Sequence, residues 1–283
     1  AVARAAIALL EQLAHVARVL VAEAELGADL AVDVLGQRFS QLDKLNETNV
    51  SQLGLAWYSD IDTERGQEST PVVVDGVMYL TTAWSMVKAY DIYSGAKLWE
   101  YDPKIDRAKG ADACCDVVNR GVAAWNGKIY FGALDGRLIA LDGKTGKEVW
   151  AVKTVPEGTH HTITGAPRIA NGKIFIGNGG AEYDIRGNIA AFDAETGKRL
   201  WNWFAVPGDP AKPHEQPELA MAAKTWKGDQ YWKLGGGATI WDTIVYDPDT
   251  NLIYFGTGNG LSWAQEARSP GGGNNLFVSS IVA

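Results

Sequence analysis

Three stretches of this chain are copies of one another. "YDIYSGAKLW", "LDGKTGKEVW" and "FDAETGKRLW" end on Trp99, Trp150 and Trp201, a spacing of 51 residues both times. Each opens with Asp (Asp91, Asp142, Asp193), reaches Gly (Gly95, Gly146, Gly197), continues with Lys and closes on Trp. Asp followed by a polar residue and Gly marks a hairpin turn, and the apolar residues on either side alternate as strands do. A second hairpin lies upstream of each copy, in "VVVDGVMYLTT", "AAWNGKIYFGA" and "RIANGKIFIGN", turning at Asp-Gly or Asn-Gly. The unit therefore carries about four strands, and four short strands recurring every 40 to 50 residues or so describe a β-propeller blade. The Trp that closes each copy is expected to dock on the next blade and seal it. A fourth copy, "VYDPDTNLIYFGTGN", begins near Tyr246 with its turn altered. The expected fold is all-β, with about four to five Trp-docked blades present.

Composition agrees: 32 glycines and 11 tryptophans in 283 residues suit many tight turns and repeated aromatic plates. The net charge of −8, with no basic block, argues against a nucleic-acid partner, because phosphate binding needs clustered positive charge. Residues 1–35 break the pattern. In "AVARAAIALLEQLAHVARVLVAEAEL" apolar residues recur near the 3.6 period of an amphipathic helix, so a helical segment is expected there, ahead of a propeller over 36–283. Glu11, His15 and Arg18 interrupt it too often for a membrane span or a signal-peptide core.

The only two cysteines are adjacent, Cys114 and Cys115 in "GADACCDVVNRG". Neighbouring Cα atoms lie about 3.8 Å apart, less than the roughly 4.4–6.8 Å that disulfides usually span, so a bridge here would be strained. Strained disulfides are the labile or functional ones and need an oxidising compartment. The alternative is a pair of reduced thiols acting as small apolar residues.

Together with the Trp-ended repeat, the vicinal cysteines and "GNGGAEYDIRG", the motifs "TITGAPR", "AMAAKTW" and "RSPGGGNN" resemble the pyrroloquinoline quinone (PQQ)-dependent alcohol dehydrogenases. The resemblance is nearest to the ethanol dehydrogenase and quinohaemoprotein branch. It runs from about Arg38 to Ala283, roughly the first half of a family member. It implies an eight-bladed periplasmic quinoprotein, with a Cys114–Cys115 disulfide lying over one face of the flat quinone and Trp241 under the other. It also implies that Glu68, Arg120, Thr164, Thr239 and the backbone at Gly179, Gly180 and Ala181 hold the cofactor's edge. An Arg fork suits a carboxylate, and glycines let the backbone approach closely. Read alone, Thr164 and Thr239 could be ordinary strand residues and Arg120 a surface charge.

For a metal, Glu182 and Asn259 match the family's calcium ligands, and a hard cation, calcium or a lanthanide, takes such oxygens. His160 and His161 read as loop residues rather than as a transition-metal pair. Trp263 matches a wall of the substrate cavity. The family reaction passes hydride from a small primary alcohol to the quinone, which the metal polarises. Electrons then pass to a cytochrome c or to a fused haem domain, for which this chain carries no Cys-x-x-Cys-His attachment sequence. The family's catalytic Asp falls beyond Ala283, so no catalytic base is nominated, Asp242 included, and the chain alone is expected to have little activity. Two other readings stay open: a cofactor-free propeller scaffold of the same repeat, and a quinoprotein dehydrogenase for sugars or polyvinyl alcohol.

Overall fold

In the computed structural model, residues 4–8 and 46–283 are described. Three four-stranded antiparallel sheets follow one another along the chain. The first contains β3 (Val72–Val74), β4 (Val77–Thr82), β5 (Met86–Asp91) and β6 (Lys97–Tyr101). The second contains β7 (Ala123–Trp125), β8 (Lys128–Gly132), β9 (Arg137–Asp142) and β10 (Glu148–Lys153). The third contains β11 (Arg168–Ala170), β12 (Lys173–Gly177), β13 (Asn188–Asp193) and β14 (Arg199–Phe204). A fourth, three-stranded sheet is made of β15 (Ile244–Asp247), β16 (Leu252–Gly256) and β17 (Ile281–Val282). These are the expected blades, with the fourth copy starting where its altered turn predicts.

The turns follow from the sequence. Asp75-Gly76, Asn126-Gly127 and Asn171-Gly172 all hold positive φ at both residues, the type I′ geometry that matches strand twist. In the second hairpin of each blade, Asp91, Asp142 and Asp193 accept hydrogen bonds from the backbone N–H and hydroxyl of Ser94, Thr145 and Thr196. Gly95, Gly146 and Gly197 then close each turn at φ +72, +69 and +70.

Strand alternation lets each blade pack both ways. On β8, Tyr130 faces the third blade with Ile174 and Phe192, whereas its neighbour Phe131 faces the first blade with Tyr79 and Val87. Phe175, Ile189 and Ala191 of the third blade meet Ile244, Tyr246 and Phe255 of the fourth. Tryptophans close the seams: the Trp57 indole N–H donates to Ile92 O at 2.9 Å and that of Trp99 to Gly143 O at 3.0 Å. Trp201 is 39% exposed, and the matching turn of the fourth blade, Asp247-Pro248-Asp249-Thr250, has no glycine to receive it.

A long insertion between the third and fourth blades carries α1 (Glu218–Ala223) and α2 (Gln230–Lys233), and α3 (Gln265–Arg268) lies in the β16–β17 connection. Trp226 fastens the insertion by donating to Leu276 O at 2.7 Å. Among the described residues no helix is long and apolar enough to cross a membrane.

The expected N-terminal helix needs correction where it can be seen. Arg4–Ala8 is a strand, β1, paired antiparallel with β2 (Leu55–Asp60). Pairing with β2 satisfies the backbone groups that face the partner along the whole run, which outweighs the helical preference of an alanine-rich run. The rest of the expected helix lies outside the described residues.

Candidate cofactor site

Antiparallel order sends the loops that leave the fourth strand of each blade and those joining its middle strands to one end of the sheets. The candidate residues sit there. Backbone hydrogen bonds lace these loops together: Thr70 N–H to Arg120 O (3.1 Å), Arg120 N–H to Thr164 O (2.9 Å) and Gly179 N–H to Thr162 O (2.7 Å). The insertion joins in, with Ala238 N–H donating to Asn259 O (2.8 Å), Gly258 N–H to Thr239 O (2.9 Å) and Gly187 N–H to Gly237 O (2.7 Å).

Arg120 is the hub. Buried Asn119 donates to Gly132 O at 2.7 Å and accepts from Gly121 N–H at 3.1 Å, which fixes the direction in which Arg120 leaves the chain. Its guanidinium donates to Thr164 Oγ1 at 2.7 Å, pairs with Glu68 at 2.7 Å, and lies 5.0 Å from the centre of the Trp241 ring. Asp242 Oδ2 stands 4.0 Å from Arg120 Nε. Two of the five guanidinium donors are thus engaged.

Trp241 rests on a floor of glycine and backbone. A Cβ at Gly165 would fall 2.4 Å from Trp241 O, one at Gly179 would fall 2.8 Å from Thr162 Oγ1, and one at Gly258 would fall 3.5 Å from Trp241 Cδ1. Trp241 is nevertheless 47% exposed. Thr239 and Ala181 are buried beside it, while Glu182 and Asn259 are exposed on the loops either side of Gly237.

Cys114 and Cys115 are exposed free thiols here. The loops crowd Cys114 enough that burial, the Cys115 thiol and the charge of Glu182 push its own thiol up to about 12, against the pull of Arg120. Cys114 therefore feels both the metal-ligand candidate and the hub arginine. The disulfide that the family resemblance implies is not formed in this structure.

Glu68, Arg120, Thr164 and Trp241 are thus in one cluster, and Cys114 and Glu182 border it. Trp263 does not join them: its side chain is 71% exposed, and its carbonyl accepts from Arg268 at 2.6 Å. Among the described residues no three His, Cys, Asp or Glu side chains converge as a metal cluster. Sequence reasoning passed over Gly165 and Gly258, though the Gly-rich run "GTGNG" around the second hints at a close approach, and it considered Asp242 only as a base and set it aside.

The group that the family resemblance implies is a flat tricarboxylate quinone. A half-exposed indole on a glycine floor with an Arg fork beside it fits such a molecule. Four-stranded blades sealed by tryptophan define a Trp-docked β-propeller. The chain belongs to the PQQ family "Glucose/ethanol/alcohol dehydrogenase, beta-propeller domain", which matches residues 29–283. It is 58% identical over 247 residues to quinohemoprotein alcohol dehydrogenase ADH IIB of Pseudomonas putida, covering 87% of this chain and 36% of that protein. The crystal structure of quinohemoprotein alcohol dehydrogenase from Comamonas testosteroni superposes with a TM-score of 0.84 at 56% identity, over 87% of this chain and 37% of that one. A europium-containing methanol dehydrogenase gives a TM-score of 0.74 at 40% identity, over 84% and 43% of the two chains. The chain thus spans little more than a third of the length of its quinohemoprotein relatives.

Proposed function

We propose that this chain carries the PQQ-binding half-site of a periplasmic alcohol dehydrogenase. The observation that carries the reading is the single guanidinium of Arg120, held against Thr164 and Glu68 and 5.0 Å from the ring centre of the half-exposed Trp241. Trp241 would give the quinone a flat apolar plate, and Cys114–Cys115, once oxidised, the opposing plate. Arg120 would take a cofactor carboxylate, and Thr164, Thr239 and the 179–181 backbone would hold the ring edge.

Charge supports a metal. The cluster offers one cation, Arg120, against the carboxylates of Glu68, Asp242 and Glu182, so a trianionic cofactor needs further positive charge. Glu182 and Asn259 would supply oxygens to a calcium or lanthanide ion. The chemistry such a cofactor supplies is two-electron oxidation of a primary alcohol to an aldehyde, with electrons leaving to a cytochrome c or a haem domain. The base for the alcohol proton is supplied outside these 283 residues in this reading, so the chain alone binds cofactor but turns over little.

Calorimetric titration of PQQ into the oxidised chain tests this. Saturable one-to-one binding that needs calcium or a lanthanide is expected; binding indifferent to metal, or none, contradicts it.

A further inference from the structure

Two carboxylates bracket the cysteine pair, and each ties it to a different loop of the site. Asp112, two residues before Cys114, accepts from His160 Nδ1 at 2.6 Å and from Lys109 Nζ at 2.7 Å. His160 belongs to the loop that carries Thr164. Asp116, directly after Cys115, accepts from Gly66 N–H at 3.0 Å and from Arg65 at 3.1 Å, both in the loop that carries Glu68. The pair of cysteines therefore hangs between the two loops whose side chains meet at Arg120.

The Asp112 side reaches further. The His160 ring stacks on Tyr183 with centroids 4.6 Å apart and planes 19° apart, and Tyr183 directly follows Glu182. Tyr183 Oη in turn donates to Ala111 O at 2.6 Å, back on the cysteine loop. Lys109 Nζ donates to Thr159 O at 2.8 Å, a second strut between the same two loops. The Lys109–Asp112 pair is well shielded, with 15% and 16% of the two side chains exposed, so it is screened less than a surface pair.

Resting on the cofactor reading above, we propose that Asp112 and His160 are positioning residues: with Tyr183 they clamp the cysteine loop to the Glu182 loop and set the height of the cysteine plate over Trp241. Asp116 is the opposite anchor. Neither Asp112 nor His160 need touch the cofactor. Their work is to keep a short irregular segment from drifting, which its own backbone, a single 3-10 stretch at Arg107–Asp112, cannot do.

The test uses the full 283-residue chain with two independent readouts. In the reduced, cofactor-free protein, the rate at which Cys114 and Cys115 react with a thiol-labelling disulfide reports loop opening. Asp112→Ala and His160→Ala should each label about tenfold faster than wild type, with Asp112→Asn, which keeps an acceptor for His160 but loses the charge opposite Lys109, falling between. In the oxidised protein, the same two alanine variants should bind PQQ with calcium about tenfold more weakly, again with partial rescue by Asp112→Asn. Urea midpoints identify a variant that merely unfolds; His160, whose side chain is 58% exposed, is the safer truncation. Equal labelling in wild type and both alanine variants overturns the clamp. Wild-type binding of PQQ with no loss in the variants overturns its role in the site. Failure of wild type itself to bind PQQ overturns the cofactor reading, while the labelling rates still decide the clamp.

Discussion

Trp99 lies with its indole flat against Gly146 of the following blade, so close that a Cβ there would fall 2.6 Å from the ring. Trp57 meets Gly95 in the same way, at 2.6 Å, and Trp150 meets Gly197 at 2.9 Å. One glycine per blade thus does two things: it takes the left-handed turn and it opens the seat for the preceding blade's tryptophan.

Gly146→Ala should therefore cost more than a turn glycine ordinarily does. Gly127 has a similar φ, +72, but nothing within 4 Å of its Cβ position. Gly127→Ala should cost about 1 kcal/mol, the left-handed penalty alone, and Gly146→Ala about 2–4 kcal/mol once the displaced indole is added. Urea midpoints at unchanged slope measure both. Equal losses would mean that the Trp99 seat is soft.

Stability should fall in two acid steps. Burial, aided by Lys109, lowers His161 to about 4, below its ordinary 6.5, so the folded state resists the proton that the unfolded chain accepts. That contribution is whole above pH 6.5 or so and is lost as pH falls towards about 4. The turn carboxylates of Asp91, Asp142 and Asp193 are held below the usual carboxylate range, chiefly by the Ser94, Thr145 and Thr196 hydroxyls. Their contribution is present above the unfolded value of about 3.9 and is lost below it. Urea unfolding from pH 3 to 8 should show His161→Gln flattening the upper step only. An unchanged upper step would contradict the burial of a neutral His161.

Arg120→Lys should not rescue Arg120→Ala. A lysine brings one charge but not the fork that reaches Thr164, Glu68 and a ligand carboxylate together, so both variants should lose about tenfold or more in PQQ affinity. Glu68 is 42% exposed and can be resolvated, so folding should suffer little. Near-wild-type affinity in the lysine variant would reduce Arg120 to a point charge.

The blades were legible because their signals are local: the Asp, Gly and Trp of each repeat lie within nine residues, from Asp91 to Trp99 for example. The Trp–Gly seams follow once that unit is seen to repeat. The site was legible only through family resemblance, since Arg120 and Trp241 meet from 121 positions apart and neither residue announces the other. His160 lies in a loop as read, and its contact with Asp112 was invisible for the same reason, the two being 48 positions apart. Arg4–Ala8 went wrong where helical periodicity in an alanine-rich run competed with a partner strand that sequence does not display.

The central claim is that Trp241 is one plate of a cofactor site, and its fluorescence tests this most directly. Titrating PQQ with calcium into the oxidised chain should quench tryptophan emission saturably, and Trp241→Phe should remove most of that saturable quenching while leaving the fold intact. Full saturable quenching in Trp241→Phe, or none in wild type, would contradict it.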